Sequence, residues 1–422
     1  MAFLAARPAR SGPFRVAPGA RAAPGTRADR PLAAGLIAAA GALGFVLARC
    51  WLAAGGDITR FVRAAAPFAD RDQTPRGLYV FPSNGYDGQF YYRLALDPAD
   101  LHRTAFGITM DAPFRLQRIG YPALAWLLSL GQHGWVPVAL AAVNVLAIGA
   151  IGLTGGLLAR DCGRHALCGL LLAGYFGFFM SLGNDLTEPV AAACLLGGVL
   201  AYRRGRPVLA GLLFGYAALT RETALIVPLA LAITRLAAVA RGWSSGWVRG
   251  TGSGWGRPVA ADLAWALPIA GYAAWQGVLR AATGQVILLS ATASNASQGL
   301  PFGAFIRALW LNLGLLWPPT GAAYIWFLEL AALLVVVAAA VAVLRSASGP
   351  AYERVAFAAF TIELGVLSAS IWAGHADLRS LDESYLFAVL VLLGSRRSLR
   401  VVALCAALAA VVAGTHQALY LS

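Results

Sequence analysis

Residues 31–54 read PLAAGLIAAAGALGFVLARCWLAA and carry a single charge, Arg49. A helix rises about 1.5 Å per residue and the hydrocarbon core of a bilayer is about 30 Å thick, so about 20 apolar residues cross it. This run is long enough to cross and stay, and it lacks the short core of a cleaved signal. The whole chain follows suit. Of its 422 residues 59% are hydrophobic and 12% charged, with mean hydropathy +0.67, against about 25% charged in a soluble domain. Apolar runs recur at about 135–159, 165–182, 189–202, 207–220, 222–240, 259–281, 322–344, 355–373, 384–395 and 399–418. The fold expected is an all-α polytopic transmembrane bundle of about eleven spans.

Before the first span, residues 1–30 are rich in Arg, Ala, Pro and Gly with one acid, Asp29, and read as a disordered cytoplasmic tail. Residues 31–422 then form one domain, with no soluble insertion and no internal repeat. Residues 55–131 make a long first outer loop. Within it Tyr121 to Gly131 is apolar but too short to span, so it reads as a surface or re-entrant helix.

The formal charge is +14 with no lysine, which points to a GC-rich, bacterial coding sequence. The arginines sit at span ends and in loops, so they report membrane orientation and not nucleic-acid binding. If 301–318 does not cross, the loops 160–164, 203–206, 241–257, 345–354 and 396–400 share the Arg-bearing, cytoplasmic side. The opposite face, periplasmic or exterior, holds 55–120, 183–188, 220–223, 282–304 and 374–383, with thirteen of the nineteen acids. The five cysteines have no metal-ligand spacing, and no disulfide is expected. The outer carboxylates leave a divalent cation open, but no ligand set is recognisable. Asn295-Ala296-Ser297 fits a glycosylation sequon, a weak signal in any chain.

The first outer loop contains Asn84-Gly85-Tyr86-Asp87-Gly88-Gln89-Phe90-Tyr91-Tyr92, followed by Arg93 to Pro98. Helical spacing of Phe90, Tyr91, Leu94 and Ala95 predicts a short amphipathic helix at the membrane surface, its rings facing lipid. At its start Asp87 is either an N-cap or a base that takes a proton from an acceptor hydroxyl. Asp185 and Glu188 lead into the span at Pro189, where they either complement a helix N-terminus or face the same site. Arg221 and Glu222 read as a mutual pair, Arg118 as a surface anchor, and His375 as a solvated loop histidine. Glu329 and Glu363 fall inside spans, where ionisable groups are costly and often functional, and stay unassigned. Arginine forks hold phosphate, and aromatic rings suit sugars and interfacial lipid. Together these groups suit a sugar attached through phosphate to a membrane lipid.

The arrangement resembles the GT-C superfamily of polytopic glycosyltransferases, which includes the PIG-V-type and protein O-mannosyltransferases. Tyr86-Asp87-Gly88-Gln89-Phe90-Tyr91 resembles the aromatic-Asp motif of the PIG-V-like branch. Tyr121-Pro122-Ala123-Leu124 resembles its juxtamembrane helix, Asp185 its second acidic position, and Thr220-Arg221-Glu222-Thr223 its basic break between spans. The resemblance implies an inverting glycosyltransferase of the cell envelope that uses a polyprenyl-phosphate sugar. It implies Asp87 as the base and Arg379 as the phosphate ligand. The substrates would be bound by Tyr86, Gln89, Tyr91, Tyr92, Arg118, Asp185, Glu188, Arg221, Glu222 and His375. The acceptor is a glycan, lipid or protein. The first loop lacks the adjacent Asp-Glu pair of the protein O-mannosyltransferases, which weakens a protein acceptor. The competing class is a transporter or lipid-linked-sugar flippase with Glu329 and Glu363 along its pathway.

Overall fold

A computed structural model describes residues 30–82, 85–246, 260–289, 301–317, 320–367, 371–372, 374–375 and 377–420. The tail 1–29, Asn84, most of the 241–258 loop, Asn295 with its sequon, and Pro318-Pro319 lie outside the described residues.

The fold is all-α. Helix α1 is Pro31–Leu52. The first loop follows: a 3-10 turn Ile58–Phe61 capped by Asp57, and β1 Ala64–Ala65 paired in parallel with β2 Val80–Phe81. Helix α2 Gly88–Leu96 comes next, then the β3 Thr104–Ala105 and β4 Ile108–Thr109 hairpin, a 3-10 turn Pro113–Gln117 and α3 Gly120–Leu128. The bundle continues through α4 Val136–Asp161, α5 Leu170–Ala173, α6 Gly177–Gly183, α7 Glu188–Arg203, α8 Pro207–Thr220, α9 Ile226–Gly246 and α10 Leu263–Thr283. It ends with α11 Gly303–Gly314, α12 Gly321–Val343, α13 Ala351–Leu364, α14 Asp382–Leu393 and α15 Arg400–Leu419.

Among the described residues five helical stretches are long and apolar enough to cross a membrane: Pro31–Leu52, His133–Asp161, Glu222–Ala240, Gly321–Val343 and Arg400–Leu419. A sixth forms if α5 and α6, bent by 62°, count as one broken span. The eleven spans expected are therefore not confirmed. The reason is length: α7, α8, α13 and α14 have 16, 14, 14 and 12 residues, short of the ~20 that a bilayer asks for. Leu32, Leu36, Ile37, Leu43 and Leu47 on α1 and Val401, Leu404, Leu408 and Val411 on α15 are exposed. Rows of exposed aliphatic side chains of this kind fit lipid as the solvent. The protein is an integral membrane protein.

The loops gather at two ends. One end joins Arg203 to Glu353, Arg164 to the carbonyl oxygens of Leu393 and Arg397, and Ser348 to Gly394. The other holds the first loop and the residues around 184–188, 220–223 and 377–383, described below. Helix α7 joins the two, with Glu188 at one end and Arg203 at the other. The two ends that flank α11 make contacts near the first-loop end. Phe302 N–H donates to Gly365 O at 2.6 Å beyond the end of α13. Helix α12 begins beside Trp372, whose carbonyl accepts from Trp326 Nε1. Helix α11 has only 12 residues, short of the ~20 that a bilayer asks for.

The first and last helices are stapled by Arg49, which is fully buried. It donates to Gly183 O at 3.1 Å, Tyr420 O at 2.9 Å and Gln417 O. Helix α3 behaves as the short surface piece expected. Tyr121 and Ala125 are buried while Trp126, Leu127, Leu128 and Leu130 are exposed.

Helix α2 overturns the expectation of a helix lying on the membrane. Every residue from Gly88 to Leu96 is buried. The rings of Phe90, Tyr91 and Tyr92 join a second hydrophobic cluster with Leu116, Tyr121 and Val143 instead of facing lipid. Gly88 is the enabling residue: a Cβ there would stand 2.3 Å from Asn184 O and 2.9 Å from Val62 O. Bare backbone lets α2 press onto the 184–187 loop. Gly88→Ala should therefore cost about 1–3 kcal/mol through overpacking and lower the melting temperature in detergent. Gly41→Ala, with nothing within 4 Å of its Cβ, should be neutral or raise it. Equal melting of the two variants would contradict this packing.

Candidate active site

Four arginines from three segments meet at the first-loop end. Pro113 sets the 3-10 turn that carries Arg115, and Arg118 closes it. Arg221 breaks α8 from the following 3-10 turn with an extended backbone, φ −148° and ψ 125°. Arg379 sits in the 3-10 turn Asp377–Leu381. That turn lies so close to α6 that a Cβ on Gly177 would stand 2.5 Å from Arg379 Cα.

Between these arginines the carboxylates alternate. Asp111 Oδ2 pairs with Arg115 at 3.0 Å, and Arg115 with Asp87 Oδ2 at 2.8 Å. Asp87 pairs with Arg379 at 3.1 Å, and Arg379 with Glu188 Oε1 at 2.8 Å. Glu188 lies 3.8 Å from Arg221, which pairs with Asp382 Oδ1 at 2.6 Å and approaches Glu383 at 3.6 Å. Beside this chain Arg118 holds Glu222 through two bonds of 3.0 and 2.7 Å, and Tyr91 OH accepts from it at 3.3 Å.

Asp87 is not an N-cap. It has helical dihedrals and its side chain makes no capping bond. Its carboxylate instead bridges Arg115 and Arg379, with one-fifth of the side chain exposed. Burial alone would raise its pKa. Arg115, then Arg379 and Arg118, outweigh that and hold the carboxyl below the usual carboxylate range. It is therefore charged at neutral pH.

The other candidates divide. Tyr86 OH donates to Asp377 Oδ1 at 3.1 Å, and the Arg379 guanidinium lies over its ring at 5.2 Å. Burial raises the Tyr86 phenol, so it stays a donor. Glu188 also accepts from Ser181 Oγ at 3.0 Å. Arg221 and Glu222 do not pair with each other. The extended backbone at Arg221 sends neighbouring side chains apart, so each finds a distant partner. Arg118 is a partly buried ion-pair member and not a surface anchor.

Asp185 is fully buried at φ +50°, and neither carboxylate oxygen has a hydrogen-bond partner. Burial pushes its pKa well above the usual range, with Arg49 opposing. Gln89 Oε1 accepts from Ala65 N–H at 3.2 Å and so ties α2 to β1. Tyr92 packs in the loop core without joining the ion pairs. His375 stacks edge-on against His416 at 5.0 Å, away from Asp87, and burial with His416 lowers its pKa to about 4. It is not a solvated histidine.

Arg115, Asp377, Asp382 and Glu383 were missed as site residues. Two signals were present: Arg115 and Arg118 three apart beside Asp111, and the acid pair Asp382-Glu383 on the loop that carries Arg379. Among the described residues no group of three or more His, Cys, Asp or Glu side chains is placed to hold a metal ion. Chemically, the arrangement offers one partly open carboxylate flanked by cations. That suits proton abstraction beside an anionic leaving group.

Arg221 serves three carboxylates, so removing it strands buried charge. Arg221→Gln should destabilise by about 3–5 kcal/mol, and the double variant with Asp382→Asn should recover part of that. Thermal unfolding of the single and double variants in detergent checks this. Strict additivity would mean the pair is not coupled.

A comparison with protein families matches residues 119–370 to glycosyltransferase family 87. The match takes in Arg118's partner Glu222 together with Asp185, Glu188 and Arg221, while Asp87 and Arg379 flank it. No curated protein and no solved structure matched the chain. The superfamily resemblance drawn from the sequence holds, and the family within it is number 87. The chain, matched over more than half its length, belongs to glycosyltransferase family 87, whose members are GT-C-type polytopic membrane glycosyltransferases.

Proposed function

We propose that this membrane glycosyltransferase takes its sugar from a polyprenyl-phosphate donor and transfers it to an acceptor hydroxyl on the periplasmic or exterior face. The observation that carries the reading is Asp87: ionised, one-fifth exposed, and flanked by Arg115 and Arg379. Asp87 takes the acceptor proton. The freed oxygen attacks the anomeric carbon, the bond from that carbon to the phosphate oxygen breaks, and the lipid phosphate leaves. Direct displacement inverts the anomeric centre. Arg379 is the phosphate ligand. Its Nε is buried with no hydrogen-bond partner, so a phosphate oxygen would complete it. When phosphate draws Arg379 from Asp87, the carboxylate loses a cation and gains basicity. Tyr86 lines this end of the site. The acid-rich loops face outward because the opposite loops carry the arginines, and the cell membrane is bacterial by this reading. The transporter alternative gains no support from the family match.

Asp87→Asn removes the proton acceptor but keeps its size. Transfer from a labelled lipid-linked sugar should fall about 10²–10⁴-fold with donor binding retained. Near-normal transfer would return Asp87 to a structural role and move the search for a base to Asp185.

Arg379→Lys keeps the charge and loses the planar fork, so donor KM should rise. Arg379→Gln removes a cation beside Asp87 and raises that carboxyl. The acid limb of kcat/KM should therefore move to higher pH than in the parent protein, whose Asp87 lies below the usual range. An unmoved limb and unchanged KM would remove Arg379 from the site.

A further inference from the structure

The first loop holds a second cavity of about 760 Å³ beside the ion network, lined among others by Phe68, Asp70, Gln73, Tyr79, Phe81 and Thr109. That volume lies in the range of about 300–1,000 Å³ typical of small-molecule sites. We propose that this cleft binds an oligosaccharide, the glycan part of the acceptor. The assignment rests on the reading of Asp87 as the base.

The wall has the chemistry of a sugar site. Tyr79 and Phe81 meet edge-on at 4.8 Å. Each ring carries a guanidinium over one face: Arg60 lies over Tyr79 at 4.2 Å and Arg63 over Phe81 at 4.5 Å. Fixed rings give apolar faces at little entropic cost, which suits the C–H faces of pyranoses. Hydroxyl partners stand beside them. Asp70 uses one oxygen for Asp72 N–H and the other for Gln73 Nε2, 2.7 Å away, and keeps lone pairs for further donors. The hydroxyls of Thr104 and Thr109 meet at 2.9 Å. A lipid tail asks for another kind of wall, and the fold has one. A groove of about 490 Å³ is lined by Leu225, Leu229, Ile269, Val286 and Leu288.

The cleft is also tied to the reaction centre. Phe68 in its wall stacks on Phe90 of α2 at 5.5 Å. The Arg115 guanidinium also lies over Phe90, 5.1 Å from its centroid, and pairs with Asp87 at 2.8 Å. Gln89 anchors β1, which continues into the cleft at Ala66. A chain seated in the cleft is thus held at a fixed offset from the carboxylate that would activate its terminal hydroxyl.

Saturation-transfer NMR on the full-length protein in detergent, with mannohexaose, maltohexaose and arabinohexaose as probes, tests the cleft without turnover. At least one probe should bind both the parent protein and Asp87→Asn. Gln73→Ala and Thr109→Val, checked for unchanged melting, should weaken that binding about tenfold. In transfer assays they should raise acceptor KM while leaving kcat and the slow hydrolysis of donor by water unchanged. Binding of none of the three probes, or equal binding by the cleft variants, overturns the proposal. Normal transfer by Asp87→Asn would instead defeat the base assignment while the binding data stand, so the two failures are separable.

Discussion

The structure depends on a buried chain of alternating charges that runs from Asp111 through Arg115, Asp87, Arg379, Glu188 and Arg221 to Asp382. A charge taken out of water is costly unless a partner and hydrogen bonds come with it. Arg379 and Arg221 serve carboxylates from other segments, and Arg115 ties Asp111 to Asp87 within the first loop, so no segment can leave without stranding a charge. The first loop, the head of α7, the α8–α9 junction and the turn before α14 are therefore fixed relative to one another. That mutual dependence brings a partly open carboxylate, Asp87, next to an arginine with a donor to spare.

Backbone contact does the rest of the positioning. Gly88 and Gly177 bring α2 and α6 against the 184–187 loop and the 377–381 turn at distances that a side chain would forbid. Around them Tyr175 OH donates to Leu378 O at 2.5 Å and Thr223 Oγ1 to Glu383 Oε1 at 2.5 Å. These neutral bonds satisfy groups that the ion pairs leave over. Arg221 Nε, Arg379 Nε and Asp382 Oδ2 remain without a hydrogen-bond partner, and Asp185 is buried with both oxygens unpartnered, which burial favours in its neutral form. The same loop thus contains a charged glutamate in the network and an aspartate that stands apart from it.

The electrostatics also bear on catalysis. A carboxylate held below its usual range is a weak base, and the best general bases have pKa values near the working pH. Asp87 as it stands is in a resting arrangement, clamped by two cations. In the proposed reaction, an anionic donor that competes for Arg379 would relax the clamp when Asp87 acts as base. Binding energy from one end of the substrate would then be spent on basicity at the other.

Much about this chain was fixed locally. Apolar runs, arginine-bearing loops and the gathering of acids at one face follow from composition along a window, and each survives whatever the helices pack against. The surface character of the piece around Tyr121 was legible for the same reason. Partners were not. Asp87 and Arg379 are 292 residues apart, Arg221 and Asp382 161, and Arg118 and Glu222 104, and no local pattern encodes which distant charge an arginine will meet. The pattern of Phe90, Tyr91 and Leu94 could not distinguish lipid from protein as the apolar neighbour, so α2 read as a surface helix although the loop buries it. The count of eleven spans is unconfirmed on the same ground, since helices as short as α7 and α14 become helices of the bundle only through what surrounds them. Sequence determined the solvent and the faces, and tertiary structure decided which groups share a site, because pairing energies act only across distances that folding closes.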